Sequence, residues 1–319
     1  MSQLVIASQL DEDFNEVIRQ RLAYNHPAAR VIGVPAGVPS DLPPEVGILL
    51  ARPINVRGYQ APETPPPGWP YGLKWIQVVS SGIDFYPQWL FNGPPVSTSR
   101  GSAAENIAEF ALAAIFAAAK RLPDIWVHDS RWHFTALTPL KGTTLGILGF
   151  GAIGRSLATK AHALGIKVLA LRQSQTPFEV DGVEAAQDIH DLFARADHLV
   201  LAAPLTASTR HIVDSAVLAS AKPGLHLINI ARGGLLDHGA LLEALETGSV
   251  GLASLDVTEP EPLPDGHPLY AHPRVRLSPH TSAISSNSRH EIADSFLANL
   301  ERYLNGLALD NQANVQRGY

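Results

Sequence analysis

Residues 145–172 read LGILGFGAIGRSLATKAHALGIKVLALR, and this stretch decides the fold. Gly149, Gly151 and Gly154 form a G-x-G-x-x-G set after the apolar run that ends at Ile147 and Leu148. Beyond it Ile153, Leu157, Ala161 and Leu164 recur at helical spacing, Gly165 stops the helix, and Lys167 to Leu171 reads as a second buried strand. That is a complete βαβ unit of the dinucleotide-binding type. Gly149 permits a tight turn, Gly151 lets backbone approach a pyrophosphate, and Gly154 lets helix pack closely on strand. The free amides at the helix start would receive the phosphate charge.

The rest of the chain sets outer bounds. A length of 319 residues suggests two domains, and 45% hydrophobic with 17% charged residues is the composition of a globular protein. A net charge of -6 supplies no global field for nucleic acid or an anionic membrane. Cysteine is absent, which excludes disulfides, thiolate nucleophiles and Cys-ligated metals, and no metal site is expected. The start MSQLVIASQLDEDF lacks the basic region, apolar core and cleavage pattern of a leader, so a cytoplasmic location is the expectation. The nearly uncharged run from Phe110 to Ala119 is too short to span a bilayer, which takes about 20 residues, and belongs to a buried helix.

Before residue 100, short strands are expected at Leu4 to Ala7, Val31 to Val34, Gly47 to Ala51 and Trp75 to Val79. The proline-dense run from Pro35 to Pro70 reads as surface connections. Ser102 with Glu105 fits a capping box, opening a helix to Arg121 with Ile107, Phe110, Ala111, Ala114, Ile115 and Ala118 on one stripe. So much alanine suits close helix packing, between domains or in a homodimer. After the βαβ unit, helices near Ile189 to Arg195, Ser215 to Ala221 and His238 to Thr247 alternate with strands. Those strands are expected at His198 to Ala203, His226 to Ala231, Leu252 to Val257 and Val275 to Leu277. This alternation predicts an α/β fold: a doubly wound, mostly parallel Rossmann sheet over 101–283, beside a smaller domain of residues 1–100 and 284–319. The last helix, Ser285 to Asn305, is amphipathic through Ile292, Phe296, Leu300 and Leu304 and follows the completed sheet, free to return to the first domain.

Three polar residues fall where strands of the second domain end, the edge at which doubly wound sheets place ligands. Arg232 follows LINIA, Glu261 lies in TEPEPLP after SLDV, and His280 closes VRLSPH. The types suit reduction of a 2-oxo acid. A planar guanidinium can hold the substrate carboxylate and polarise its carbonyl. An imidazolium can give a proton to the oxygen as hydride reaches carbon, and a neighbouring carboxylate orients the imidazole and favours its cationic form.

The segments LGILGFGAIGRSLA, LINIARGGLLDHGALLEALETG, ASLDVTEPEPLPDGHPLY and VRLSPH, in this order, resemble the D-isomer-specific 2-hydroxyacid dehydrogenases. LKWIQVVSSGIDFYP resembles that family's substrate-domain loop, so the likeness spans roughly 70–305. It implies a flavodoxin-like substrate domain, a homodimer, a cofactor cleft between domains, and Arg232, Glu261 and His280 as the catalytic triad. It implies a substrate carboxylate held near Ser81 and Gly82, and cofactor contacts at Ala152, Ile153, Pro204, Thr209, Ile230 and Asp256. The activity it implies is reduction of glyoxylate or hydroxypyruvate to the D-2-hydroxy acid. Alternatives on the same fold are a formate or phosphite dehydrogenase, although formate enzymes pair their histidine with glutamine, and a dinucleotide-sensing corepressor.

Two features depart from the family pattern. Thr281, Ser282 and Ala283 follow His280, where an apolar residue is usual, and Arg172 stands where NAD-specific members carry an acid. A carboxylate there would bind the ribose hydroxyls and repel a 2′-phosphate. Arg172, Gln173, Ser174 and Thr176 instead favour NADP(H) over NAD(H).

Overall fold

The computed structural model describes residues 4–56, 58–174 and 176–318, and positions 1–3, 57, 175 and 319 lie outside the description. In chain order the first elements are β1 (Val5–Ser8), α1 (Glu12–Asn25), β2 (Arg30–Gly33), β3 (Ile48–Ala51), β4 (Trp75–Val78), β5 (Val96–Thr98) and α2 (Ala104–Ala119). Next come β6 (Thr144–Leu148), α3 (Ala152–Ala163), β7 (Lys167–Leu171), β8 (Val183–Ala185), α4 (Ile189–Arg195), β9 (His198–Leu201) and α5 (Ser215–Ala219). The last are β10 (Leu225–Asn229), α6 (His238–Thr247), β11 (Val250–Leu255), α7 (Pro268–Ala271), β12 (Val275–Leu277) and α8 (Ser288–Leu304). They fall into two compact units, Met1–Ala103 with Ser285–Tyr319, and Ala104–Ile284.

The first unit holds a parallel sheet in the order β2-β1-β3-β4-β5. VIAS, ILLA and WIQV are buried at every position, the mark of strands covered on both faces. One face receives Phe14, Ile18 and Leu22 of α1 together with Phe296 and Leu300 of α8. Phe296 stacks on Trp75 at 5.3 Å between centroids. The Trp75 indole donates to Ser97 Oγ (2.7 Å), whose hydroxyl donates to Gln77 (2.6 Å), so this core keeps its polar atoms paired. The other face is filled partly from the proline-dense run. Leu42, Val46 and Ile54 are buried there, and the Trp69 and Trp89 rings meet edge to face at 4.9 Å, so the run supplies core as well as connections.

The second unit holds a parallel sheet in the order β12-β11-β10-β9-β6-β7-β8. The connection reverses direction between β6 and β9, and the crevice beyond the strand ends at such a point is where doubly wound sheets take ligands. One face packs on α4, α5 and α6 through Leu192, Phe193, Val217, Leu218, Leu241 and Leu245. On the other, α2 buries Ala104, Ala108 and Ala111 and packs against α3 and β10.

Local details differ from the sequence reading. Ser102's hydroxyl donates to the Ser99 carbonyl and Glu105 pairs with Lys160, so neither closes the expected capping box. Leu164 and Leu304 sit 38% and 45% exposed, because α3 ends at Ala163 and Leu304 is the final residue of α8. The three-residue strands β5 and β8 were not among those expected. Among the described residues, no helix is long and apolar enough to cross a membrane.

Candidate active site

The register of the second sheet brings the three predicted polar residues to one edge. Asn229 pairs with Leu255 and Leu255 with Leu277, so the loops after β10, β11 and β12 leave the sheet side by side. These loops carry Arg232, Glu261 and His280.

His280 and Glu261 are brought together: Nδ1 lies 2.6 Å from Glu261 Oε1, with the two side chains 28% and 42% exposed. His280 holds a left-handed backbone conformation, φ +52°, uncommon for a side-chain-bearing residue and fixed here from below. Its N–H donates to the Asp256 carbonyl (2.9 Å). The buried Asp256 carboxylate accepts from the Ser278 hydroxyl (2.6 Å) and from the Thr281 and Ser282 amides (both 2.9 Å). Burial pushes the Asp256 carboxyl up, but the hydrogen bonds from Ser278, Ser282 and Thr281 outweigh it and hold the group below the ordinary carboxylate value. Asp256, expected at the cofactor, thus has its oxygens occupied beneath the histidine loop.

Arg232 is half-buried, and its Nη1 donates to the Ala231 carbonyl (2.7 Å). Asn229, fully buried, grips this turn, accepting from Ala231 N (3.1 Å) and donating to the Arg232 carbonyl (2.9 Å). The following glycines allow the loop to lie on its neighbour: a Cβ at Gly233 would come within 2.0 Å of the Thr258 backbone. That contact presses the loop of Arg232 against the loop of Glu261.

The glycine turn fits a dinucleotide. Gly149 has φ +97°, and a Cβ there would meet Ala203 N at 2.5 Å, so the turn from β6 to α3, pressed on the segment after β9, tolerates no side chain. A Cβ at Gly154 would crowd the Gly149 carbonyl oxygen at 3.0 Å and the Phe150 ring at 3.3 Å, so the helix start packs tightly on the turn. Around Gly151, in contrast, nothing lies within 4 Å of a Cβ position. Gly151 caps α3 without a side-chain hydrogen bond, so the helix start, with Ala152 and Ile153, faces an open cradle suited to phosphate. Across the switch point Thr209 Oγ1 donates to the Pro204 carbonyl (2.7 Å) and accepts from Thr206 N (2.8 Å), shaping the loop after β9. Ile230, the residue after β10, is buried.

Arg172 directly follows β7. Its side chain is 12% exposed and wrapped by the loop that follows. Nη2 donates to the Thr176 carbonyl (2.6 Å), Thr176 Oγ1 (2.7 Å) and the Pro177 carbonyl (2.7 Å), and Nη1 lies 3.5 Å from Glu179. The guanidinium carbon sits 4.8 Å from the Phe178 ring centre and 6.0 Å from that of Phe150. Among the described residues, buried Nε has no hydrogen-bond partner. Gln173 and Ser174 are exposed beside it, and Ser174 Oγ lies 2.8 Å from Thr176 Oγ1.

In the first unit, exposed Ser81 and partly buried Gly82 follow β4, and Ser80 Oγ donates to the Gly82 carbonyl (2.7 Å) to fix that turn. The sequence reading missed the bidentate pair of Arg210 with Glu259 (2.7 and 2.9 Å), which holds the Glu259 carboxyl below its ordinary value. Their signal was present only as an arginine after Thr209 and a second acid in TEPEP. Among the described residues, no group of three or more histidine or acidic side chains is placed to hold a metal ion.

The chain is similar to proteins of one family. The family model described as "D-isomer specific 2-hydroxyacid dehydrogenase, NAD binding domain" matches residues 112–282. A glyoxylate reductase of Aeropyrum pernix is 33% identical over 69% of this chain and 69% of its own. A glyoxylate/hydroxypyruvate reductase A of Serratia proteamaculans is 33% identical over 71% of this chain and 76% of its own. A crystal structure of a D-isomer specific 2-hydroxyacid dehydrogenase from Xanthobacter autotrophicus Py2, in complex with NADPH and MES, superimposes with a TM-score of 0.79 at 27% identity, covering 100% of both chains. With its Rossmann unit matched in this way, the chain belongs to the D-isomer specific 2-hydroxyacid dehydrogenases, oxidoreductases with a nicotinamide dinucleotide cofactor.

Proposed function

We propose that this chain reduces a small 2-oxo acid of the glyoxylate or hydroxypyruvate type to the D-2-hydroxy acid, with NADPH preferred to NADH. The observation that carries this reading is the 2.6 Å contact of His280 with Glu261 at the ligand edge of the sheet. The relatives named as glyoxylate and hydroxypyruvate reductases support the substrate class. When bound, the reduced nicotinamide supplies hydride to the substrate carbonyl carbon.

The chain's residues supply the rest. His280 gives a proton to the carbonyl oxygen from Nε2, since Nδ1 is turned to Glu261. Glu261 fixes the ring's orientation and balances its charge while it is cationic. Arg232 holds the substrate carboxylate and the oxygen that gains negative charge, a task suited to a fork of donors. The cradle at Gly151, Ala152 and Ile153 takes the pyrophosphate. No carboxylate stands at positions 172–174 to repel a 2′-phosphate, and Arg172 faces it once the Thr176 and Pro177 carbonyls yield their bonds. We further infer that a second copy covers the stretch after α2, where Trp126, Trp132 and Phe134 are exposed. Sedimentation would show a dimer, and a monomer at micromolar concentration would refute it.

Initial rates with a panel of 2-oxo acids and each cofactor test the reading. Turnover of glyoxylate or hydroxypyruvate with a higher kcat/KM for NADPH is the expected result, and Arg172→Asp should invert the preference. No turnover across the panel would refute the substrate class, and a cofactor ratio at or below one would refute the preference.

A further inference from the structure

The mechanism uses one carboxylate of the sequence Thr258-Glu259-Pro260-Glu261, and the structure gives the other a distinct task. The loop after β11 is pinned where it leaves the sheet by buried Val257 and where it returns by buried Leu263, whose carbonyl accepts from Tyr270 (3.1 Å). Its apex between these anchors is exposed and carries Glu261, and the apex holds itself only loosely. Thr258 N lies 3.5 Å from Glu261 Oε2, and the Thr258 hydroxyl donates to the Pro260 carbonyl (2.9 Å).

Glu259 ties this apex to both neighbouring loops. Its two oxygens receive Nη1 and Nη2 of Arg210 at 2.7 and 2.9 Å, the fork geometry that fixes direction as well as distance. The same carboxylate lies over Gly234, within 3.0 Å of where a Cβ would stand, so a side chain there would push it away. The loop of Arg210 is itself laced to Gly234 and Leu235 by His211 N to the Gly234 carbonyl (2.8 Å) and Val213 N to the Leu235 carbonyl (3.0 Å). His211 Nε2 stands 3.7 Å from Glu259 Oε2 as a second partner. The loops after β9, β10 and β11 therefore meet at one carboxylate, two residues from Glu261.

We propose that Arg210 and Glu259 form a positioning pair, which sets the distance from Glu261 to His280 by clamping the apex of the loop after β11 to the cofactor-side loop after β9. This rests on the reading of His280 and Glu261 as proton-transfer residues. The pair is half-exposed, side chains 51% and 39%, so its effect on overall stability is small. Its effect falls on geometry, and displacement of a catalytic group by about 1 Å can cost on the order of 100-fold in rate.

The test combines kinetics with a signal that needs no substrate. Arg210→Ala and Glu259→Ala should each lower kcat about tenfold or more while KM for NADPH stays within about twofold. The double variant should lose no more than either single one, as members of one interacting unit do. The charge-swapped pair, Arg210→Glu with Glu259→Arg, should recover part of the rate, and melting temperatures should stay near wild type. In ¹⁵N-histidine-labelled protein the His280 Nδ1 proton shared with Glu261, identified by its loss in His280→Ala, should shift upfield or broaden in both single variants. Wild-type kcat and an unchanged Nδ1 signal in Glu259→Ala would overturn the proposal. If the 2-oxo acid panel gives no turnover, the proton signal still decides, so failure of the pair and failure of the functional reading remain separable.

Discussion

Acid should loosen the second unit through a pair of histidines far from the chemistry. His198 and His226 face each other across β9 and β10 with Nδ1 atoms 3.2 Å apart, and His226 Nε2 reaches Ser254 Oγ on β11 at 2.9 Å. Two neutral rings satisfy this chain with a single proton between the Nδ1 atoms, whereas two cations would repel. The Asp197 carboxylate, next in sequence to His198, acts on that ring against the effect of burial and is itself paired with Lys222 at 2.6 Å. Burial, reinforced by His198, pushes the His226 imidazolium down to about 3 from 6.5. Because the folded value lies below the unfolded one, the unfolded chain takes up the proton first. Stability is then full above about pH 6.5 and is lost as pH falls toward 3. At about 1.4 kcal/mol per unit the contribution has a ceiling of about 5 kcal/mol, of which about 2 kcal/mol is gone by pH 5. That is a large share of the 5–15 kcal/mol that typically holds a folded protein together. Urea unfolding followed by circular dichroism between pH 5 and 7.5 reads the slope. Near pH 5 His226→Gln should lower it by nearly one proton, or about 1.4 kcal/mol per pH unit, and near pH 7.5 by almost nothing, whatever the substitution does to stability at pH 7. Equal slopes in variant and wild type would refute the reasoning.

Two further outcomes follow from the site. His280→Ala should reduce kcat by about 100-fold to 10,000-fold with cofactor affinity nearly unchanged, measured by rates and by quenching of intrinsic fluorescence. Near-normal turnover would remove the residue from the mechanism. The two turn glycines should separate fold from ligand. Gly149→Ala forces a Cβ to 2.5 Å from Ala203 N and should lower the melting temperature by several degrees. Gly151→Ala meets open space and should leave melting unchanged while weakening NADPH binding about tenfold or more; a calorimetric titration equal to wild type would remove Gly151 from the cradle.

The glycine turn was readable because each glycine answers a local steric demand between neighbouring residues. The Rossmann alternation was readable for a related reason, as buried parallel strands leave short continuous apolar runs and amphipathic helices leave a 3.6-residue repeat. The short strand Val183–Ala185 left no such trace, since two of its three residues are exposed at the sheet edge. Arg172 could be located from sequence, but not its wrapping, which depends on Phe178 folding back over the guanidinium. Nor could sequence separate the roles of Glu259 and Glu261. They share one loop and one chemistry, and only the third dimension places one against Arg210 and the other against His280.

The division of the first unit between the two ends of the chain imposes an order of assembly. Residues 104–284 are one uninterrupted stretch and have every strand of their sheet once β12 has been synthesised. The first unit, although made first, must wait. Trp75 lacks Phe296 and Tyr303 against its faces, and Gln77 lacks Asn299, until α8 has left the ribosome. The bridge from Ser97 of β5 to Gln312 arrives later still. A nascent chain halted near residue 285 would carry a finished nucleotide fold and an open aromatic core, and a chaperone that shields such cores would find its substrate in the first unit.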